Sequence, residues 1–211
     1  MPVRLLLAST NPAKREKLRW LLADCEVEPA EPAGVDLPRT DESGRTFLEN
    51  AREKARAASR AFGGLALASD GGLAIPALGA RWDRLRTGRF AGPAATDESR
   101  IEALLYLMKP FQADERACFW TEAAAIADRG EILKGWGARS PDGRIAESFD
   151  RSKIVPGFWA FSLWYLPQFA RTYVDLREDE LARLEDHWLR LREQVRAYFS
   201  LGPSRRPQEA E

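Results

Sequence analysis

The sequence predicts an α/β or α+β chain built on a mixed sheet. Two patterns carry this. In the first half, short apolar runs alternate with amphipathic helical stretches, as strand–helix units do. In the second half, two long strand-like runs meet at Asp128-Arg129-Gly130, as a hairpin does. Val3 to Ala8 is an apolar run suited to a sheet buried on both faces. Asn11 is a good N-cap and Pro12 suits the first helical position, so a helix is expected from there to about Ala23, with Leu18, Leu21 and Leu22 on one face. A second strand is expected near Cys25 to Glu28. Residues 29–44, with three prolines and two glycines, read as a loop.

A second helix starts at Thr46. Phe47, Ala51, Ala55, Ala58 and Phe62 form its apolar stripe, and Gly63-Gly64 ends it. Leu65 to Ala68 reads as a buried strand and Ser69-Asp70-Gly71-Gly72 as its turn. Residues 79–93, rich in Arg and Gly, read as a long loop. Thr96 caps a third helix that stops before Pro110. The hairpin then spans Arg116 to Arg139, and a further strand is expected at Arg144 to Glu147. Residues 150–170 are aromatic-rich and carry no clear period. Leu181, Leu184, Trp188, Leu191, Val195 and Tyr198 alternate at three and four, the pattern of one last helix. The tail, residues 202–211, is expected to be disordered, leaving residues 1–201 as one domain.

Composition bounds the function. At 45% hydrophobic and 30% charged, the 211 residues suit a globular protein with a sizeable core. Lys and Arg balance Asp and Glu at 32 each, so a generally basic nucleic-acid coat is not expected. Cys25 and Cys118 make neither a disulfide framework nor a zinc site and read as free thiols in a reducing cytosol. No targeting segment is visible. The longest uncharged stretch, Ile154 to Ala170, is short for a membrane span and broken by Pro156 and Pro167. A cytoplasmic location is expected, with no membrane partner.

Several residues can carry chemistry. Ser9-Thr10-Asn11-Pro12-Ala13-Lys14 places a helix N-terminus after a strand, where free N–H groups and the dipole favour phosphate. Lys14 in that first turn opposes the dipole, and a bound polyphosphate reverses the sign. The plain alternative is a capped helix with a solvated lysine. Glu49 either completes a capping box with the Thr46 N–H or faces a cleft from the side away from the apolar stripe. Asp70 follows a buried strand, where α/β sheets place ligands, and the glycines after it, Gly71 first, let a substrate approach the backbone. A turn Asp-Gly pair is the plain alternative. Glu49 and Asp70 together offer carboxylates for Mg²⁺, which takes one or two of them plus substrate phosphates. Arg89 and the lone histidine, His187, are weaker candidates; a histidine beside an apolar stripe is more often structural. The aromatic group Phe158, Trp159, Phe161, Trp164 and Tyr165 either stacks on a base or packs a core.

Taken together, the order and spacing of these segments resemble the inosine triphosphate pyrophosphatase family. Ala8 to Lys14 looks like its A-[ST]-x-N-x-x-K opening. Gly44 to Ala51, with Lys54-Ala55, matches its G-x-T-F-x-E-N-A-x-x-K-A helix almost letter for letter. Ala68 to Leu73 resembles A-D-D-S-G-L, and Arg89 to Gly92 resembles R-[YF]-A-G. The resemblance implies an elongated two-lobed α/β fold with a long twisted mixed sheet and a central cleft, and commonly a homodimer. It implies Mg²⁺-dependent hydrolysis of non-canonical purine nucleoside triphosphates to monophosphate and pyrophosphate. Asp70 would be base and metal ligand, Glu49 a second ligand, and Ser9, Thr10, Asn11, Lys14, Gly71, Arg89 and His187 substrate contacts. The chain departs from the pattern in places. The acidic pair becomes Ser69-Asp70, the F-G-Y-D-P base-recognition motif is not intact, and S-H-R becomes Asp186-His187-Trp188. A different base preference, or a binder without turnover, are the alternatives those departures leave.

Overall fold

The computed structural model describes residues 3–92 and 94–201. The tail expected to be disordered lies outside them. The elements run β1 (Val3–Leu7), α1 (Pro12–Leu21), β2 (Val27–Ala30), α2 (Phe47–Phe62), β3 (Leu65–Ala74), α3 (Asp97–Met108), β4 (Ala117–Asp128), β5 (Glu131–Arg139), β6 (Gly143–Ile145), β7 (Trp164–Leu166), β8 (Arg171–Thr172), α4 (Glu178–Leu184) and α5 (His187–Ser200). The strands form one mixed sheet of eight in the order β2-β1-β3-β4-β6-β7-β8, with β5 paired to β4. The pairs β1–β2 and β1–β3 are parallel; β4–β6, β6–β7 and β7–β8 are antiparallel. This is the α/β mixed sheet expected. Among the described residues no helix is long and apolar enough to cross a membrane.

The chain divides into two compact units. Among the described residues, the first comprises 3–71, 122–138 and 187–201, the second 72–92, 94–121 and 139–186. In the first, Leu5, Leu6 and Leu7 of β1 are fully buried, as are Leu18 and Leu21 of α1. Each such side chain contributes about 1.5–3 kcal/mol of burial. The stripe of α2 is small where it packs: Ala51 and Ala55 are fully buried, so the helix backbone lies close to its neighbours. Thr46 Oγ1 accepts from the Glu49 N–H at 3.1 Å, and Gly63 closes the helix at φ 72°, a left-handed position that glycine takes without strain.

The second unit is built around aromatic side chains. Phe158 stacks on Phe161 at 4.9 Å and Trp164 on Tyr173 at 4.9 Å, while Trp164 is fully buried and Trp159 and Phe161 nearly so. The aromatic stretch therefore packs a core: Phe158, Trp159, Phe161 and Trp164 are buried and Tyr165 is half-buried.

Three local expectations change. Ser69 to Gly72 is not a turn: β3 runs through it to Ala74, because neither Gly71 nor Gly72 takes a positive φ and the backbone stays extended. The last helix is two helices, α4 and α5, interrupted at Glu185, which sits at φ 48°. A period of three and four survives such a break because both helices keep an apolar face. Residues 79–93 are not all loop, since short 3-10 turns occupy Pro76–Arg81 and Arg84–Arg89. The hairpin holds, with Arg129 and Gly130 both at positive φ in its two-residue turn.

Candidate active site

β3 outruns β1. The parallel register ends at Leu7 opposite Leu67, after which the β1 chain turns into α1 while β3 continues. Asp70 therefore lies past the carboxyl end of β1, where ligands of α/β sheets bind. Its residue is only 6% exposed, and a buried carboxylate needs partners. Both come from α2. Asn50 Nδ2 donates to Oδ2 at 2.9 Å, and Lys54 Nζ donates to Oδ1 at 2.7 Å. Asn50 and Lys54 are four residues apart, one turn of the same helix face.

Asn50 is itself fixed. Its Oδ1 accepts from the Gly44 N–H at 2.9 Å. A Cβ on residue 44 would stand 2.6 Å from that oxygen and 2.8 Å from the Glu49 Cβ, so only glycine lets the loop lie this close to α2. Lys54 holds a second carboxylate too, with Glu42 Oε1 2.6 Å from its Nζ. Burial works to lower the Lys54 pKa, and the two carboxylates more than offset it, holding the ammonium above the ordinary lysine value.

Opposite these, α1 brings Lys14 toward Glu122 of β4, with Nζ 3.4 Å from Oε1. Glu122 is 1% exposed. Burial pushes its carboxyl pKa up, and the Asp70 charge adds to that, while Lys14 and the Ser69 hydroxyl pull it back. The first unit thus gathers the charged groups Lys14, Glu42, Lys54, Asp70 and Glu122, with the neutral Asn50 and Ser69 beside them.

The other expected contacts are placed as follows. Asn11 caps α1 through its side chain, accepting from the Ala13 N–H at 2.9 Å and the Lys14 N–H at 3.4 Å. Ser9 donates its N–H to Leu7 O and accepts from the Asn11 N–H at its Oγ, so these backbone donors already have protein acceptors. Thr10 is exposed, and its carbonyl accepts from Arg15. Gly71 follows Asp70 along β3 and is half-buried. Arg89 is exposed at the end of a 3-10 turn in the second unit. His187 opens α5 with no exposed surface, its ring 5.6 Å from that of Trp188, so a ligand reaches it only if that packing opens.

Glu49 is exposed, and its carboxylate reaches back past the expected Thr46 N–H to accept from the Arg45 N–H at 2.6 Å. The bonds that fix Asp70 and Lys54 run to Asn50 and Glu42 instead. Sequence reasoning does not single out Glu42, Asn50, Lys54 or Glu122. Asn50 and Lys54 stand inside the segment Glu49-Asn50-Ala51…Lys54, and Glu122 is the one acid in the otherwise apolar run Glu122 to Ala127.

Comparison with known proteins finds relatives over most of the chain. The family model described as the Ham1 family matches residues 5–185. A protein of Aromatoleum aromaticum named dITP/XTP pyrophosphatase is 34% identical over 182 residues, 83% of this chain and 86% of that one. A solved HAM1 protein from Coxiella burnetii superposes with a TM-score of 0.78 at 28% identity, covering 94% of this chain and 98% of that one. A structure named nucleoside-triphosphatase / dITP/XTP pyrophosphatase, from Mycobacterium abscessus, gives a TM-score of 0.67 at 25% identity, covering 96% and 99%.

Proposed function

Because this chain belongs to the Ham1 family, we propose that it hydrolyses non-canonical purine nucleoside triphosphates such as dITP and XTP to nucleoside monophosphate and pyrophosphate. The observation that carries the reading is the buried Asp70 carboxylate past the end of β1, fixed by Asn50 and Lys54. Two of its roughly four acceptor positions are used, which leaves others to hold a water. Asp70 orients that water and takes its proton as it attacks the α-phosphate. Lys14, at the start of α1, faces the polyphosphate as a cation.

The donor chemistry fits Mg²⁺. Asp70 and Glu42 already hold one positive charge, the Lys54 ammonium, between two hard oxygens. Among the described residues no group of three metal-binding side chains gathers, and Mg²⁺ with substrate phosphates needs only one or two carboxylates. In this proposal Asp70 and Glu42 hold the ion, and Glu49, whose carboxylate is turned to the Arg45 N–H, supports the loop. When bound, the ion neutralises phosphate charge. A homodimer working in the cytoplasm completes the reading, on the strength of the family.

A pyrophosphate-release screen over dITP, XTP, ITP and the four canonical triphosphates, with and without Mg²⁺, tests it. Metal-dependent release that favours dITP and XTP is expected; no release from any of them contradicts it.

A further inference from the structure

Glu122 has no task in the reaction above. It is a carboxylate with 1% of its surface exposed, in a strand segment that is otherwise apolar, and its charged contact is Lys14. The separation of 3.4 Å is longer than the 2.7–2.9 Å typical of a tight charge-assisted bond. Lys14 keeps 18% of its side chain exposed, so the ammonium sits at a border, with a buried acid behind it and solvent before it. Two of its three donors remain for another acceptor.

Resting on the reading of Lys14 as a polyphosphate contact, we infer that Glu122 is an internal counter-ion that competes with the polyphosphate for Lys14. The free site holds the lysine charge already neutralised. A phosphate chain binds by drawing the ammonium off a carboxylate that solvent does not reach, and this costs affinity because buried charge is left behind. The same carboxylate reclaims Lys14 when pyrophosphate leaves. Glu122 acts through Lys14 and is a positioning residue. Its effect is on how strongly the site holds phosphate and how readily it lets pyrophosphate go.

The test is a double-mutant cycle on the full chain, with inorganic pyrophosphate as the probe and calorimetric Kd as the readout. Glu122→Gln keeps the shape and removes the charge. It is expected to tighten pyrophosphate about tenfold, the order of one charge-assisted contact, and to lower KM for dITP without raising kcat. In a Lys14→Met background the same change is expected to leave Kd where it was. Glu122→Asp, which keeps the charge and retracts it by one methylene, tightens less and serves if the Gln variant does not fold. Unchanged or weaker binding by Glu122→Gln overturns the inference, as does equal tightening with Lys14 absent. Wild-type turnover of dITP is measured alongside. A Lys14-dependent shift in Kd without turnover keeps the inference and rejects the proposed activity; turnover without the shift does the reverse. No pyrophosphate binding by wild type or variant overturns the inference, and the turnover measurement then decides the activity on its own.

Discussion

The Lys54 ammonium bridges Glu42 and Asp70, at 2.6 Å and 2.7 Å. One side chain on α2 thus draws a carboxylate from the loop before the helix and a carboxylate from β3 to a common point. The three groups depend on one another, and the consequences are measurable.

Glu42→Gln and Glu49→Gln are expected to separate. Loss of the Glu42 charge removes a carboxylate from the Lys54 bridge, so the Mg²⁺ concentration giving half-maximal rate rises. Glu49→Gln keeps a side chain suited to the first turn, with an oxygen that still accepts from the Arg45 N–H. Its Mg²⁺ titration is expected to match wild type. The opposite ranking in metal titrations of the two variants returns Glu49 to the metal.

Lys54→Met leaves the nearly buried Asp70 with Asn50 but without its cation. Breaking such a pair from one side costs about 3–5 kcal/mol. Urea unfolding is expected to show a loss of that order. A loss below about 1 kcal/mol, the value of an exposed ion pair, means the bridge is solvated.

Gly44→Ala sets a Cβ against the Asn50 carboxamide and the Glu49 Cβ. The loop must retreat, at about 1–3 kcal/mol, and Asn50 loses its hold on one side. Both a lower Tm and a lower kcat are expected; a fall in Tm with unchanged kcat removes Gly44 and Asn50 from the alignment of Asp70.

Glu122 carries a pH dependence of stability. Its folded pKa lies above the ordinary 4.5, so the folded state binds the proton more tightly than the unfolded chain does. Ionisation therefore costs stability as pH rises through the folded value, and the cost is absent below the ordinary one. Glu122→Gln, which mimics the neutral acid, is expected to raise Tm by a few degrees near neutral pH. The gain is expected to vanish as pH falls into the ordinary glutamate range. A gain independent of pH, followed by thermal denaturation, contradicts this.

Much of this was legible in the sequence, for definite reasons. Thr46, the alanine stripe and Gly63 fix α2 by local rules of capping and periodicity, and Arg129-Gly130 fixes the hairpin in the same way. Asp70 was legible from the motif and the buried run before it. Glu42 was not, because its partner lies twelve positions on, across the helix start, and only the folded loop brings them together. Glu122 and Lys14 are separated by 108 positions, a pairing that no local pattern announces. Glu49 reads equally as a ligand and as a capping acid because both roles use the same residue type; in the folded chain its carboxylate accepts from the Arg45 N–H. The aromatic stretch had no period to read, since 3-10 turns and a three-residue strand replace one another within a dozen residues.

The most direct test of the account compares wild type with Asp70→Asn on dITP and XTP, with monophosphate, pyrophosphate and orthophosphate quantified from the first turnovers. The account predicts pyrophosphate and monophosphate in equal amounts. It also predicts a kcat about 10²–10⁴ lower in the variant, the range of a lost general base, with the fold intact by circular dichroism. Orthophosphate as the first product, or near wild-type pyrophosphate release by folded Asp70→Asn, would contradict it.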